Sequence, residues 1–500
     1  MDFSSIPMAQ LSGTVMGLLE VMAYLFIFTA GSLVAVVVGL FIVDKTQTTS
    51  TLRRNYPVIA HGRYLFEKIG EFLRQYFFAF DRDELPFNRA ERSWVYRAAK
   101  DIDATVPFGS TRDLRSVGTV IFVNAPFPKL ENELTPPARQ VIGPDSSNPY
   151  ETDSFFNISG MSFGAISTPA IKALSQGAAS AGCWMNTGEG GLSPYHLEGG
   201  ADIVFQIGTA KFGIRCPEGG IDDDRLAAIA AHQQVKMFEI KLSQGAKPGK
   251  GGILPGVKVT PEIAEVRGVK TGEDAISPNR HPDIASASDL LDMVAHVRAV
   301  TGKPVGVKMV TGDMTVIDLL TAEILQRGMD AAPDFLTIDS ADGGTGAAPM
   351  SLIDSMGMPL RESLPQVVNR LTAAGLRERI KICASGKLIN PSEVAWALCA
   401  GADFVNSARG FMFALGCIQA LQCNKNTCPT GITTHNKKLQ LGLNPTDKAV
   451  RVAQYVSNIR KEVGIIAHSC GVAQPLELSR KHARIITSDG SSQSMDTLYG

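Results

Sequence analysis

The sequence has no excess of either charge. Its 48 lysine and arginine residues face 49 aspartate and glutamate residues, which gives a net charge of −1. Without a basic balance there is no global electrostatic argument for nucleic-acid binding. The chain also lacks the composition of a disordered protein, because 44% of its residues are hydrophobic and 19% are charged. Its 500 residues allow one large domain or several small ones.

Cysteines are few, and no two are spaced as a C-x2-C pair. The spacing is not that of a small secreted disulfide framework. We therefore expect thiols in a reducing compartment. Five of the eight cysteines stand alone: Cys183, Cys216, Cys383, Cys399 and Cys470.

The other three cysteines form one short motif, Cys417-x5-Cys423-x4-Cys428-Pro429. Soft thiolates at short spacing select zinc or an iron–sulfur cluster. Zinc sites typically use two C-x2-C-like pairs, which this chain lacks. The three cysteines are therefore predicted to hold a [3Fe–4S] cluster. A [4Fe–4S] cluster with a non-protein fourth ligand and a chance grouping remain as alternatives.

Lysine and arginine are absent from residues 1–20, so the positive region of a signal peptide is missing. Residues 21–43 then run without a charge for about 34 Å of helix, enough for a hydrocarbon core of roughly 30 Å. This pattern favours a transmembrane helix over a cleaved signal peptide or a buried core helix. Eleven lysines and arginines lie between Asp44 and Lys100. The positive-inside rule therefore predicts a single-pass inner-membrane protein with residues 1–20 outside and the main body in the cytoplasm.

The juxtamembrane region, 44–150, is expected to contain an amphipathic helix and an irregular collar. The helix would lie in the membrane interface or pack on the folded domain, and the sequence leaves both open. Its apolar stripe comprises Leu65, Ile69, Phe72, Leu73, Tyr76, Phe77 and Phe80.

Apolar runs alternate with helical patterns from residue 153 onward, which indicates a parallel sheet. The strand-like runs are 155–158, 203–207, 235–240, 305–310, 335–338, 380–384 and 404–407. Seven to eight units over about 270 residues favour a (β/α)8 barrel over an open doubly wound sheet. No G-x-G-x-x-G motif follows an early strand, which argues against a Rossmann site. We predict an α/β protein whose TIM barrel covers 151–436, followed by a helical extension and a flexible tail within 437–500.

Three glycine-rich loops follow late strands: DGGTGAAP at 342–349, ASGK at 384–387 and SARG at 407–410. In (β/α)8 proteins, loops after the last strands commonly bind phosphate through backbone N–H groups. The candidate binding residues are Asp342, Gly343, Gly344, Ser385, Gly386, Ser407, Arg409 and Gly410.

Loops after earlier strands supply further candidates. SGMSFGAIS at 159–167 and NTGEGG at 186–191 would line a ring-shaped ligand through Met161, Ser162, Gly188 and Glu189. A loop of about twenty residues opens at EIKLSQGAKPGK, 239–250, and long loops are usually functional. It offers Glu239, Lys241 and Gln244, and we expect only one of Glu239 and Lys241 to point inward. Lys308 ends another strand, where a lone lysine is more often a satisfied core or rim residue, although at a flavin site it would stabilise the reduced ring.

Together these motifs resemble the FMN-binding synthase domain of glutamate synthase, from about residue 159 to 436. NTGEGG, EIKLSQGAKPGKGG, DGGTGAAP and C-x5-C-x4-C-P-x-G occur in the family's order. The apolar span and RSWVYRAAK at 92–100 look like a membrane-anchored bacterial branch without an amidotransferase. After Lys308 the chain reads MVTGDMT, where glutamate synthases carry a Gly-Ile-Gly-type stretch near the 2-oxo acid. The resemblance is therefore closer at the flavin than at the substrate.

The resemblance implies an oxidoreductase that holds FMN and a [3Fe–4S] cluster on Cys417, Cys423 and Cys428. The family aminates 2-oxoglutarate to 2-iminoglutarate and reduces it to glutamate. Lys308 would be the active-site lysine, and Glu239 the carboxylate at the base of the long loop near both cofactors.

Three functions stay open on the sequence. The first is imine reduction with ammonia and electrons from a ferredoxin-like donor. The second is turnover of another amino or hydroxy acid coupled to membrane quinone. The third is a non-catalytic membrane subunit. A homo-oligomer is compatible with each.

Overall fold

The computed structural model describes the backbone of residues 8–500 and the side chains of residues 13, 15–70 and 72–500. Two compact units are present, Met1–Arg89 and Ala90–Gly500. The strands are β1 (Val120–Phe122), β2 (Gln140–Ile142), β3 (Tyr150–Thr152), β4 (Phe156–Ile158), β5 (Met185–Asn186), β6 (Ile203–Ile207), β7 (Val235–Lys241), β8 (Ile253–Leu254), β9 (Ala275–Ile276), β10 (Val305–Met309), β11 (Phe335–Asp339), β12 (Lys381–Ser385), β13 (Phe404–Ser407), β14 (Ala483–Ile486) and β15 (Ser492–Ser494).

Helices account for most of the remaining regular structure. They are α1 (Met8–Thr46), α2 (Thr51–Asn55), α3 (Ile59–Leu73), α4 (Arg89–Ala98), α5 (Thr168–Ala181), α6 (Pro194–Glu198), α7 (Asp223–Ala230), α8 (Pro261–Arg267), α9 (Ala287–Thr301), α10 (Thr315–Arg327), α11 (Met350–Ile353), α12 (Leu360–Ala373), α13 (Pro391–Ala400), α14 (Arg409–Leu415), α15 (Lys437–Gln440), α16 (Pro445–Ser469) and α17 (Met495–Tyr499).

The first unit is helical. Within α1, the segment Val15–Thr46 is long and apolar enough to cross a membrane, with a mean hydropathy of 2.6. Helix α1 extends beyond the predicted span of 21–43 at both ends. A short α2 follows, and α3 continues into a π-helical turn at Arg74–Phe78. The predicted amphipathic segment is therefore helical.

The second unit is built on a closed barrel of eight parallel strands in the order β4-β5-β6-β7-β10-β11-β12-β13, with β13 pairing back to β4. This confirms the (β/α)8 prediction and excludes the open sheet. β6, β10 and β11 are buried along their whole length, as the apolar runs required. The strand without a predicted run is β5, whose two residues are too few to form a pattern.

Polarity changes along the barrel axis. At the amino-terminal end of the strands, the hairpin β2–β3 contributes Ile142 and Tyr150 to a buried apolar cluster with Trp184, Phe335 and Phe404. At the carboxyl-terminal end the interior is polar and includes buried charged groups. Apolar packing therefore closes the barrel at one end, and polar side chains line the other end, where (β/α)8 proteins have their active sites.

The carboxyl-terminal segment packs on the outside of the barrel. α16 lies against α5, where a Cβ added to Gly177 would stand 2.5 Å from Val452 Cβ, so glycine permits this close approach. Beyond it, β14 and β15 form a three-stranded sheet with β1. The expected flexible tail is wrong in this respect, because residues 492–499 form β15 and α17. Met495, which begins α17, is fully buried and anchors the segment.

Candidate active site

Two adjoining cavities open at the carboxyl-terminal end of the barrel strands. The inner cavity is lined by Lys308 and Ser385. The outer cavity is lined by residues that include Cys423. Gly160, Gln244, Gly344, Ala408 and Arg409 line both cavities. The late glycine-rich loops, the long loop and one cysteine of the motif therefore face two neighbouring cavities.

Glu239 sits inside the barrel and is fully engaged. Its Oε2 accepts hydrogen bonds from Asn186 Nδ2 at 2.8 Å and Gln206 Nε2 at 2.6 Å. Its Oε1 accepts one from Thr337 Oγ1 at 2.6 Å. Three neutral donors on three other strands thus hold this buried carboxylate, which satisfies its oxygens without a direct ion pair. Glu239 lines neither cavity, so it lies beneath the site rather than on its surface.

Lys241 also points inward, contrary to the expectation for this pair. Residues two apart on a strand project from the same face, so Glu239 and Lys241 share the barrel interior. Lys241 Nζ lies 3.2 Å from Glu189 Oε2 and also donates to Gln244 Oε1. Burial raises the pKa of Glu189, but the neighbouring cations, Lys241 foremost, outweigh burial and hold that pKa below its usual value.

Lys308 faces the inner cavity from the end of β10. Its Nζ lies 3.4 Å from Asp339 Oδ2 on the adjacent strand β11. Burial lowers the pKa of Lys308, but the carboxylates of Asp339 and Glu239 more than compensate, and the pKa is raised above its usual value. The ammonium is therefore a permanent positive charge at neutral pH.

The late loops form a close-fitting wall. Gly386 adopts φ +115°, a conformation that side chains rarely tolerate, and an added Cβ would stand 2.3 Å from Ser340 Cβ. At Gly344, an added Cβ would stand 2.6 Å from Arg409 Nε. Of the predicted residues in these loops, the cavities bring together Gly344, Ser385, Gly386, Ser407 and Arg409.

The other late-loop candidates lie behind the wall. Asp342 pairs with Lys387 at 2.9 Å. Gly343 packs against Ser340 O. Gly410 lies beneath Tyr455, whose hydroxyl oxygen would be 2.1 Å from an added Cβ. These three residues line neither cavity, and their contacts support the loops.

Three of the candidates in the early loops line the outer cavity: Met161, Ser162 and Glu189. Gly188 does not, but it adopts φ +64°, and an added Cβ would stand 2.6 Å from Ser162 N. Gly188 therefore allows the two loops to approach each other.

The cysteine motif forms a loop in which Gln419, Leu421 and Asn426 adopt positive φ. The Cys417 thiol is half-buried, and its desolvation raises its pKa to about 11. Cys423 Sγ lies 4.0 Å from Arg409 Nη1, and Cys428 Sγ lies 3.4 Å from Thr430 Oγ1. Among the residues the structure describes, no group of three or more His, Cys, Asp or Glu side chains is arranged to hold a metal ion. The [3Fe–4S] prediction therefore stays a prediction.

Several cavity residues were not singled out from the sequence. Lys247, Lys258 and Arg267 line the outer cavity, and Gln206 and Asp339 the inner one. Burial lowers the pKa of Lys258 to about 8. Lys258, Arg267 and Gln206 stand alone in the sequence beside apolar or glycine residues, so no local pattern marks them. Lys247, within the long loop, and Asp339, directly after a strand-like run, carried a usable signal.

The closed barrel and the polar cavity at its strand ends define an enzyme of the (β/α)8 class. A family model described as "Conserved region in glutamate synthase" matches residues 124–473. The glutamate synthase large subunit-like protein YerD of Bacillus subtilis (strain 168) is 39% identical over 498 residues, which cover 92% of this chain and 94% of that protein. The chain therefore belongs to the glutamate synthase family and is a glutamate synthase-like oxidoreductase.

More distant matches cover less of the relatives or agree less well. The archaeal-type glutamate synthase [NADPH] of Thermotoga maritima is 36% identical over 314 residues, 62% of this chain and 58% of that protein. Among solved structures, mandelate oxidase with (S)-4-hydroxymandelic acid matches with a TM-score of 0.48 and 15% identity, over 79% of this chain and 99% of that one.

Proposed function

We propose that the chain is an FMN- and iron–sulfur-dependent oxidoreductase that reduces an imino acid, forming glutamate from 2-oxoglutarate and ammonia. The observation that carries the proposal is the pair of adjoining cavities, one lined by the late glycine-rich loops and Lys308 and the other by residues that include Cys423. Its catalytic body would be the barrel, 151–436. Family membership and the lining of the two cavities support this reaction class.

The cavity wall fits FMN. Gly344 and Gly386 have no room for a Cβ, because Arg409 and Ser340 occupy that position, so only glycine lets the loops pack this closely beside the cavity. Ser385, Ser407 and Arg409 would hold the phosphate, with Arg409 adding a charge-assisted contact. Met161, Ser162 and Gln244 would face the ring. When bound, FMN supplies hydride transfer.

The cysteine motif fits a three-sulfur iron–sulfur cluster by the chemistry of its donors. Cys417, Cys423 and Cys428 are the ligands we propose, since soft thiolates select such clusters. Arg409 lies beside Cys423, so a positive charge stands next to this proposed ligand. When bound, the cluster supplies one-electron transfer between the flavin and an external carrier.

Lys308 would bind and orient the substrate. Its ammonium remains protonated, so it holds a carboxylate of a 2-oxo or imino acid at the inner cavity. Glu239 would act through Lys308, because its charge is one of the three carboxylate charges that keep this ammonium protonated. We therefore assign Lys308 as the catalytic residue and Glu239 as a positioning residue.

Purification under anaerobic conditions tests the proposal directly. We expect flavin absorbance, bound iron, and glutamate production from 2-oxoglutarate and ammonia with a reduced ferredoxin. A folded protein with neither flavin nor iron would refute the cofactor assignment. A protein with both cofactors that forms no amino acid from 2-oxoglutarate would refute the substrate assignment.

We further propose that Val15–Thr46 anchors the protein in the inner membrane, with the barrel in the cytoplasm. Its length and hydropathy support this anchor, and the flanking cations support the orientation. The anchor also favours a second candidate function, turnover of another amino or hydroxy acid with quinone as electron acceptor. A substrate screen with a soluble quinone analogue separates the two, because only the second predicts quinone reduction without ammonia.

A further inference from the structure

Helix α3 and its π-helical continuation carry an exposed aromatic face. Phe66 is 67% exposed, Tyr76 51% and Phe77 76%. Arg63 and Glu67 form an ion pair one turn apart on the same helix. Exposed aromatic side chains grouped on a charged helix mark a surface that binds lipid or another protein surface.

A buried carboxylate ties the start of α3 to the end of α1. Asp44, in the last turn of α1, accepts a hydrogen bond from Val58 N at 2.9 Å, and its Oδ2 lies 2.9 Å from His61 Nε2. Its side chain is fully buried, and Val58 is held at φ +67°, an uncommon conformation for a β-branched residue. The first turn of α3 is therefore fixed to the end of α1 by these hydrogen bonds and is not connected to it through an unconstrained linker.

The charges around this junction suit an anionic surface. Residues 47–78 contain five lysines and arginines but only two glutamates. The cations are Arg53, Arg54, Arg63, Lys68 and Arg74. Basic residues beside a membrane helix are attracted to anionic headgroups. A lipid surface meets the apolar requirement and the charge requirement together.

From these observations we infer that α3 and Arg74–Phe78 form an interfacial helix that lies in the cytoplasmic leaflet, with its aromatic face among the acyl chains. The inference rests on the proposed membrane span and adds a second, in-plane contact with lipid. The contact of Asp44 with Val58 and His61 would fix where this helix begins relative to the end of α1, and therefore relative to the membrane surface.

Site-specific photocrosslinking of the full chain tests which surface covers the aromatic face. The protein is reconstituted in nanodiscs of phosphatidylethanolamine and phosphatidylglycerol with p-benzoylphenylalanine at Phe66 or at Phe77. The matched control carries the same group at Glu67, which is paired with Arg63. We expect phospholipid adducts at 66 and 77 to exceed those at 67 several-fold. Both aromatic positions are exposed, so their replacement leaves the fold intact and each serves as a check on the other.

Other adducts have defined meanings. Crosslinks from 66 and 77 to peptides of the barrel, or to a second copy of the chain, without lipid adducts would overturn the inference. Equal lipid labelling at 66, 67 and 77 would overturn it as well. Release of the chain by alkaline carbonate would refute the membrane span and the interfacial helix together. Glutamate formation is assayed separately, so failure of the proposed reaction remains distinguishable from failure of the lipid contact.

Discussion

Lys241 and Lys308 occupy paired positions on neighbouring strands, and each ammonium faces a different carboxylate. Lys241 lies 3.2 Å from Glu189, and Lys308 lies 3.4 Å from Asp339. Two like charges buried side by side would repel each other unless each had its own counter-ion. The arrangement therefore holds two positive charges at the rim of one cavity, where an anionic substrate or a reduced flavin would be stabilised.

Replacing Lys308 tests its proposed catalytic role. We expect Lys308→Met to reduce kcat/KM by on the order of a hundredfold or more, since a charge-stabilising donor in a closed site commonly contributes this much. Flavin content should remain near that of the wild type. Lys172→Met, which removes a surface ion pair, is the control. Retention of full activity by Lys308→Met would contradict the assignment.

Glu239→Gln tests the positioning role beneath the site. The new amide keeps an oxygen toward Asn186 and Gln206 and turns its NH2 group toward the Thr337 hydroxyl, which can accept it, so we expect a loss of only about 1 kcal/mol in unfolding free energy. Because Glu239 helps to raise the pKa of Lys308, that pKa should fall. On the alkaline side of the pH profile, activity would then begin to fall at a lower pH than in the wild type. An unshifted alkaline limb would show that Glu239 is only structural, and the exposed Glu218→Gln serves as control.

Gly386→Ala tests the late-loop wall. Its positive φ and the 2.3 Å approach to Ser340 Cβ leave no place for a methyl group. Left-handed strain of about 1–2 kcal/mol, with crowding added, should weaken FMN binding by about tenfold or more. Fluorescence titration of the flavin-depleted protein measures this. Gly312→Ala, which has no neighbour within 4 Å, should bind FMN normally.

The metal prediction is tested at the cysteine motif. Replacing Cys417, Cys423 or Cys428 with serine should remove most of the iron and the paramagnetic signal of the oxidised cluster. The motif supplies only three thiolate ligands, so the loss of one cannot be compensated by another. Cys216→Ser, outside the motif, should keep both. Undiminished iron in all three variants would exclude the motif as the ligand set.

His196 makes the protein sensitive to mild acid. Burial lowers its pKa from 6.5 to about 4, so between these values the unfolded chain binds a proton that the folded chain does not. Stability should therefore fall as the pH falls through this window, by about 2 kcal/mol from pH 6.5 to pH 5 for this group. His196→Gln should reduce the difference in Tm between pH 7 and pH 5. The exposed His232→Gln should leave it unchanged.

The fold class followed from local pattern. Runs such as 305–310 are apolar on both faces, and their alternation with helices requires a parallel, covered sheet. The glycine-rich loops were recognisable because each follows a strand. The sequence missed β5, whose two residues contain no periodicity, and it misjudged the last residues, where one buried side chain, Met495, orders a polar segment.

The sequence by itself determined the parallel barrel, the apolar helix and the residue types available for chemistry, because these depend on periodicity and composition along the chain. Only the tertiary structure decided which of them meet. Closure of the barrel places Lys308 beside Asp339 and turns Glu239 into a buried support, and it separates Arg409, on the cavity wall, from Asp342 behind it. These relationships depend on strand register and barrel curvature. Both are set by contacts between residues far apart in the chain, so short sequence patterns do not reveal them.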